Sequence, residues 1–553
     1  MSFMRATRDG FVEDRALDRD YNDKDTTAAR GAIAFTPSSA LRIDLVADHS
    51  QDDASLNVGR PLNDLVSALG FPLPVDNEVG TGDYDWTGRT TARLPNSTKL
   101  RHWGLAGTVA YDITDALTFK SITGYRALDT DDYVDIDASQ WEVGDVFVGV
   151  DQTQLSQEFQ LALTGERFSG VAGVYYIKEE VGSHQEAYGL DLYRTAFGPF
   201  FPGGVLRTID DDLTTKSHAA FANGSFQVVP NVRVSAGIRF TRESKDYDRS
   251  TSVFLNGLRA APAFAFNAQD KWTDTSPMAS VDWQVTPETM VYARVAKGFK
   301  SGGFNGRANT PAEATQYEPE TVWSYEGGFK TSIASRLRLN GAIFHNDYRN
   351  FQARVSEVDE DPILGVPGAR LSVLNAGRLR IRGAELEAAW TPIDQLLIDT
   401  QIGYLDAEYK EFVDLRFPGG SRAFQTPAFA PKWTVRVGAQ YGFDLGTSGG
   451  VTIGGQSRYR ARTALAVDNT FVTATNQGTT TEVEGLFQDP FWVHDARIVW
   501  ENASRKFAVG LYGNNLTDKA YKTDGQDFST IGGIRTVYYG NPRTVTLRLT
   551  ARY

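Results

Sequence analysis

The chain contains no cysteine. That excludes disulfides, thiolate metal sites and thiol nucleophiles, and it is compatible with an oxidising envelope compartment. No apolar run approaches the ~18 residues of a membrane-spanning helix, which excludes a helical membrane protein. A transmembrane barrel stays open, because only every second residue of its strands meets lipid and local hydropathy remains low. The first ten residues carry no apolar core of a signal peptide. Positive charge is in deficit: 56 Lys and Arg against 69 Asp and Glu give a net charge of -13, which argues against general nucleic-acid binding. Histidine is sparse. His49, His102, His184, His218, His345 and His494 form no HExxH and no tight pair, which argues against a catalytic zinc centre.

What is present is alternation. At the C-terminus Val545, Leu547, Leu549, Ala551 and Tyr553 interleave with Thr544, Thr546, Arg548, Thr550 and Arg552, the period of a strand with one apolar and one polar face. The unit recurs as hairpins with short turns at residues 36–40, 112–116, 164–167, 228–231, 284–289, 331–335, 391–395, 442–450 and 501–505. Longer polar segments, such as 50–100, 179–213, 242–273 and 462–490, alternate with them. Short connections at one end and long ones at the other describe an up-and-down barrel with periplasmic turns and extracellular loops. Strands entering the short turns end on Phe35, Tyr111, Phe226, Trp283, Phe329, Trp390, Tyr441, Trp500 and Tyr553, the pattern of an interfacial aromatic girdle. An Arg at the bilayer midplane costs about 2–4 kcal/mol, so Arg436, Arg548 and Arg552 are expected to face the lumen. A sandwich or propeller would put the same polar face in water. The hairpins predict about twenty strands in an all-β transmembrane antiparallel barrel, closed because open edges in lipid leave backbone groups unpaired.

Four passages carry a family resemblance: Tyr292 to Asn305 (YARVAKGFKSGGFN), Tyr317 to Lys330 (YEPETVWSYEGGFK), Asn375 to Trp390 (NAGRLRIRGAELEAAW) and Gly510 to Tyr521 (GLYGNNLTDKAY). In this order, and with the terminal segment to Tyr553, the chain resembles the barrel region of TonB-dependent outer-membrane receptors over nearly its whole length, residues 1–553. The resemblance implies a 22-stranded barrel in the outer membrane of a Gram-negative bacterium, filled by an N-terminal plug and energised through a TonB box that contacts the TonB complex. It also implies that Tyr553 belongs to a C-terminal signal read by the outer-membrane assembly machinery. MSFMRATRDGFV resembles the end of the third barrel strand, so the plug, TonB box and first two strands are expected to be missing here. The implied function is a receptor and transporter for ferric siderophores or a similar scarce, bulky nutrient. The alternatives are an unplugged passive channel, a receptor for a carbohydrate or cobalamin, and a soluble multi-sheet binding protein.

Ligand capture by the family implies Arg and aromatic side chains on extracellular loops, because chelates are often anionic and carry flat groups. Trp141, Tyr317, Arg349 and Arg354 are the candidates. An acidic group in a predicted extracellular loop, Asp129, Asp131, Asp132, Asp135 and Asp137, has the oxygens for calcium but not the ordered spacing and Gly of an EF-hand, so a solvated acidic loop is the favoured reading and no metal is expected. His49 and His345 lie near predicted extracellular strand ends, but no haem-receptor motif accompanies them. The glycines of Gly298 to Gly303 precede no helix, so they form no phosphate loop. No nucleophile elbow or ordered triad is present, so no enzyme and no resident cofactor is expected.

Overall fold

The computed structural model describes residues 1–552 except 69, 77–83, 198–203, 261–263, 309, 361–366, 416–418 and 473–479. Tyr553 and its part in an assembly signal lie outside the described residues. One antiparallel sheet of 21 strands dominates. Its two-residue member Leu258–Arg259 only tips a hairpin; the other twenty form the wall, each paired with its neighbour in succession from Ser2–Arg8 to Thr544–Ala551. No residue register joins the outer edges of these first and last strands among the described residues, so the expected closure stops at that seam.

All nine short turns fall where the sequence places them, between strand pairs such as Lys24–Ser38 with Leu41–Ala54 and Thr98–Thr114 with Leu117–Asp135. The long segments are shorter than the sequence suggests. Phe168–Tyr188 and Val205–Val229 pair through Tyr188↔Leu206, and Val232–Leu255 with Phe264–Thr286 likewise extends far beyond the turn-proximal region. Above the bilayer both faces of a hairpin meet water, so apolar alternation disappears while the backbone ladder continues. Residues 179–188 (EEVGSHQEAY) are strand for that reason, although they read as loop.

Apolar side chains of the wall point outward: Val545, Leu547 and Leu549 are 68%, 65% and 73% exposed. Polar ones interlock on the other face. Arg436 binds Asp399 and donates to Gln456 Oε1 at 2.7 Å; Gln456 and Arg458 both reach Asp495 Oδ2, at 2.8 and 3.0 Å. Arg552 pairs with Glu501, and the Arg548 guanidinium lies 5.2 Å from the Tyr512 ring centre. Phe35, Tyr111, Phe226, Trp283, Trp390 and Trp500 are exposed at the short-turn end; Phe329 and Tyr441 are half-buried there.

The apolar cores lie mainly in the segments between wall strands. Leu56, Val58, Leu65, Leu465, Leu486 and Ile534 are nearly inaccessible and all belong to the long connections. These connections meet at the hairpin Lys522–Phe528 with Ile534–Tyr539, which pairs with Arg60–Pro61, donates Thr536 Oγ1 to Ile136 O at 2.6 Å, and shares a hydroxyl contact of 2.6 Å between Thr530 and Ser356. The result is a cap with its own core, built from distant stretches of chain.

Candidate functional site

The most distinctive charged cluster in the cap forms where residues 301–319 meet the hairpin Gln352–Glu360 with Pro367–Asn375. Gly302 and Gly303 allow it. A Cβ on Gly302 would stand 2.5 Å from Trp272 ring atoms and from the Tyr317 carbonyl, and one on Gly303 would stand 2.5 Å from the Tyr317 hydroxyl. Two bare backbone positions thus let Trp272 and Tyr317 close on the loop, and Gly303 pairs with Tyr317 as a short antiparallel bridge.

Beyond the glycines, Asn305 is fully buried and donates Nδ2 to Glu313 O at 2.9 Å and Leu371 O at 3.1 Å, fastening the loop to the hairpin. Gln352 does the same from the other side, donating Nε2 to Ser301 O at 2.9 Å and Glu318 O at 3.1 Å. Arg249, on the wall strand Val232–Leu255, donates to Gly306 O at 3.0 Å and Ala308 O at 2.6 Å, bracketing Arg307. Its own charge is met by Asp211, at 2.7 and 2.8 Å. Arg307 is therefore held at a fixed place by the wall below it.

Arg307 lies 5.7 Å from the Phe528 ring centre and close enough to Arg354 for their charges to interact. Burial, followed by the neighbouring Arg354 charge, brings the Arg307 guanidinium down to about 10. Burial pushes the Tyr317 hydroxyl up, and Arg354 opposes that shift, so Tyr317 shares the same neighbourhood. Neither Arg307 nor Arg354 makes an ion pair with a carboxylate among the described residues. Two guanidinium groups with no carboxylate ion pair among the described residues, beside Tyr317 and Phe528, suit an anion with flat groups.

Of the four residues singled out from sequence, the structure brings Tyr317 and Arg354 together and leaves two apart. Arg349 ends the wall strand Leu337–Arg349 and lies 3.7 Å from Asp347, a carboxylate it shares with Arg378 at 3.1 Å. Trp141 donates Nε1 to Pro74 O at 2.8 Å and packs on the Leu65, Val143 and Ile534 core, which is a packing role. Nothing in the sequence marks Arg249 or Phe528, and Arg307 is marked only by standing two residues beyond the GFKSGGFN passage. The acidic group also divides. Asp129, Asp131, Asp132 and Asp135 belong to the wall strand Leu117–Asp135 rather than to a loop, and of the five Asp135 and Asp137 join a carboxylate cluster with Asp145. Asp129 lies opposite Arg101 and Asp151.

The family described as TonB dependent receptor-like, beta-barrel, matches residues 34–516. The pesticin receptor of Yersinia pestis is 23% identical over 318 residues, covering 56% of this chain and 40% of that protein. The metal-pseudopaline receptor CntO of Pseudomonas aeruginosa strain UCBPP-PA14 is 27% identical over 269 residues, 47% of this chain and 34% of that one. The chain thus spans well under half the length of these relatives. In structure, the ferric yersiniabactin uptake receptor FyuA from Yersinia pestis superposes with a TM-score of 0.77 at 17% identity, over 99% of this chain and 74% of that one.

Proposed function

Because the chain belongs to the TonB-dependent receptor-like β-barrel family, we propose that it forms the barrel of a receptor that captures an anionic metal chelate of the ferric siderophore kind. Members of the family reside in the Gram-negative outer membrane, and this chain is such a barrel. Two of the similar proteins are named for metal-carrying ligands, metal-pseudopaline and ferric yersiniabactin. The observation that carries the reading is the Arg307 and Arg354 pair, which lacks a carboxylate partner among the described residues and sits beside Tyr317 in the cap.

Capture follows from charge and shape. An incoming anion relieves the repulsion between the two guanidinium groups, and their planar forks donate charge-assisted hydrogen bonds to carboxylate, catecholate or hydroxamate oxygens. Tyr317 and Phe528 offer ring faces to the flat parts of such a ligand. Onward movement through the barrel would draw on the TonB complex in the full-length family form.

Quenching of intrinsic fluorescence by a panel of ferric catecholate, hydroxamate and carboxylate chelates tests this. A charged hydrogen bond is worth about 1.5–3 kcal/mol, so Arg307→Ala and Arg354→Ala should each weaken the best chelate by roughly 10- to 100-fold. Arg349→Ala, at a strand end beside Asp347 and outside the cluster, should change affinity little. Wild-type affinity in the Arg307→Ala, Arg354→Ala double variant would remove the assignment.

A further inference from the structure

A second site stands elsewhere in the cap and shares no residue with the arginine cluster. Asp135 closes the strand Leu117–Asp135, Asp145 opens Asp145–Thr164, and Asp137 lies between them. Each offers a carboxylate oxygen, and the three oxygens lie within 4.8 Å of one another. The residues are 2%, 1% and 0% exposed for Asp135, Asp145 and Asp137. These strands run 19 and 20 residues, about 60 Å at ~3.3 Å per residue, so ends this far from the short turns stand clear of a ~25 Å lipid band.

The hydrogen bonding is uneven in an informative way. Asp137 is oriented by four donors: the Ser139 amide at 3.1 Å and hydroxyl at 2.6 Å, and the amides of Val143 at 3.3 Å and Gly144 at 2.7 Å. Asp135 Oδ1 receives the Ala138 amide at 2.6 Å. Asp135 Oδ2 and both oxygens of Asp145 are buried with no hydrogen-bond partner. Buried carboxylate oxygens are rarely left so. No Lys or Arg pairs with any of the three among the described residues; the charges facing Asp145 are Asp137, Glu142 and Asp191, all acidic. Glu142 is itself partly answered by Arg93 at 3.7 Å.

We propose that Asp135, Asp137 and Asp145 bind one calcium ion that ties the two strand ends together beneath the cap. Three negative charges in a buried cluster require a compensating cation or protons. The donor set is oxygen only, which suits a hard cation and not zinc. Oxygens within 4.8 Å of one another can all reach one ion at the ~2.4 Å of calcium, whereas magnesium sheds its own water reluctantly. Asp145 also lines a cavity of about 490 Å³ with Glu142, Tyr133 and Tyr188, which gives the ion room for water ligands and a way in. Binding would reach past the two strands, because Ile136 O receives the Thr536 hydroxyl at 2.6 Å and Gly144 packs against Ile534, both from the central cap hairpin.

The test uses the chain purified in detergent, stripped with EDTA and checked for the heat-modifiable gel mobility of a folded barrel. Calcium titration followed by calorimetry and thermal unfolding should show one saturable site with a dissociation constant on the order of 10⁻⁴–10⁻³ M. Magnesium should bind at least tenfold more weakly. Asp145→Asn and Asp135→Asn should each weaken calcium at least tenfold, while Asp131→Asn, outside the cluster, should not. In EDTA the two Asn variants should unfold at higher temperature than wild type, since each removes a buried charge. Wild-type protein that shows no saturable calcium binding up to about 10 mM, or Asp145→Asn binding calcium as wild type does, overturns the site. Should the variants not fold, limited proteolysis of wild type decides: calcium must slow cleavage within residues 136–144, and unchanged cleavage counts against the proposal.

Discussion

Arg249 shows how a single side chain transmits the rigidity of the wall to the cap. It is 3% exposed, and its fork joins the Asp211 carboxylate of one wall strand to the Gly306 and Ala308 carbonyls of the loop above. Removing one partner from a buried ion pair is costly because the other charge is left in place. Arg249→Ala should therefore destabilise the folded chain by about 3 kcal/mol in denaturant unfolding, less if water reaches Asp211, which keeps the Tyr247 hydroxyl as a donor. Chelate affinity should fall with it, because Arg307 loses its bracket on both sides. Arg249→Lys restores the charge but not the fork and should recover only part of the loss. Unfolding and affinity both unchanged in Arg249→Ala would dismiss the positioning role. The same geometry explains what the sequence could show of the site. Tyr317 and Arg354 were legible by residue type, being an aromatic and a cation on loops. Arg249 and Phe528 were not, because their relation to Arg307 exists only after strands far apart in the chain come together. Trp141 misled for the converse reason: an aromatic that packs a cap and one that stacks on a ligand look alike before folding.

At the scale of an element, the loop after Thr289–Lys300 depends on two glycines more than on any side chain it carries. Gly302→Ala places a methyl 2.5 Å from both the Trp272 ring and a backbone oxygen, and the latter has nowhere to move. Overpacking of this kind costs about 1–3 kcal/mol. Tyr317 should be displaced, and chelate binding should weaken by about tenfold or more, one charge-assisted contact's worth. Gly306→Ala is the matched control, since its methyl would meet only the Tyr247 hydroxyl at an ordinary 3.5 Å. Equal behaviour of the two variants in a chelate titration would refute the close-approach argument. Elements also divide into those that sequence reveals and those it hides. Turn residues followed by alternating apolar positions mark the lipid-embedded hairpins, so all nine short turns were readable. The upper halves of Phe168–Tyr188 and Val205–Val229 were not, because a hairpin in water on both faces leaves no periodic imprint.

Across the whole molecule, the aromatics of the wall form two belts rather than the single one the short turns suggest. Trp103 and Tyr111, Trp433 and Tyr441, and Trp492 and Trp500 each lie eight residues apart on one strand, hence on the same face. Their rings extend to neighbouring strands: Trp103 lies 5.2 Å from Tyr125, Trp433 4.9 Å from Tyr404, and Trp492 5.1 Å from Tyr459. Eight residues at ~3.3 Å span about 26 Å along a strand, and a tilt of ~40° brings this to about 20 Å of height, close to the ~25 Å apolar band of an outer-membrane barrel. The two belts therefore bound the lipid, and the midplane falls halfway between them. On the strand Trp433–Asp444 that point is Val437, exposed and four residues from each ring. Val437→Arg should cost about 2–4 kcal/mol in reversible unfolding from lipid vesicles, whereas Thr434→Arg, on the face shared with Arg436, should cost much less. Equal costs for the two arginines in vesicles would mean that the apolar face does not meet lipid, and the belts would then need another explanation.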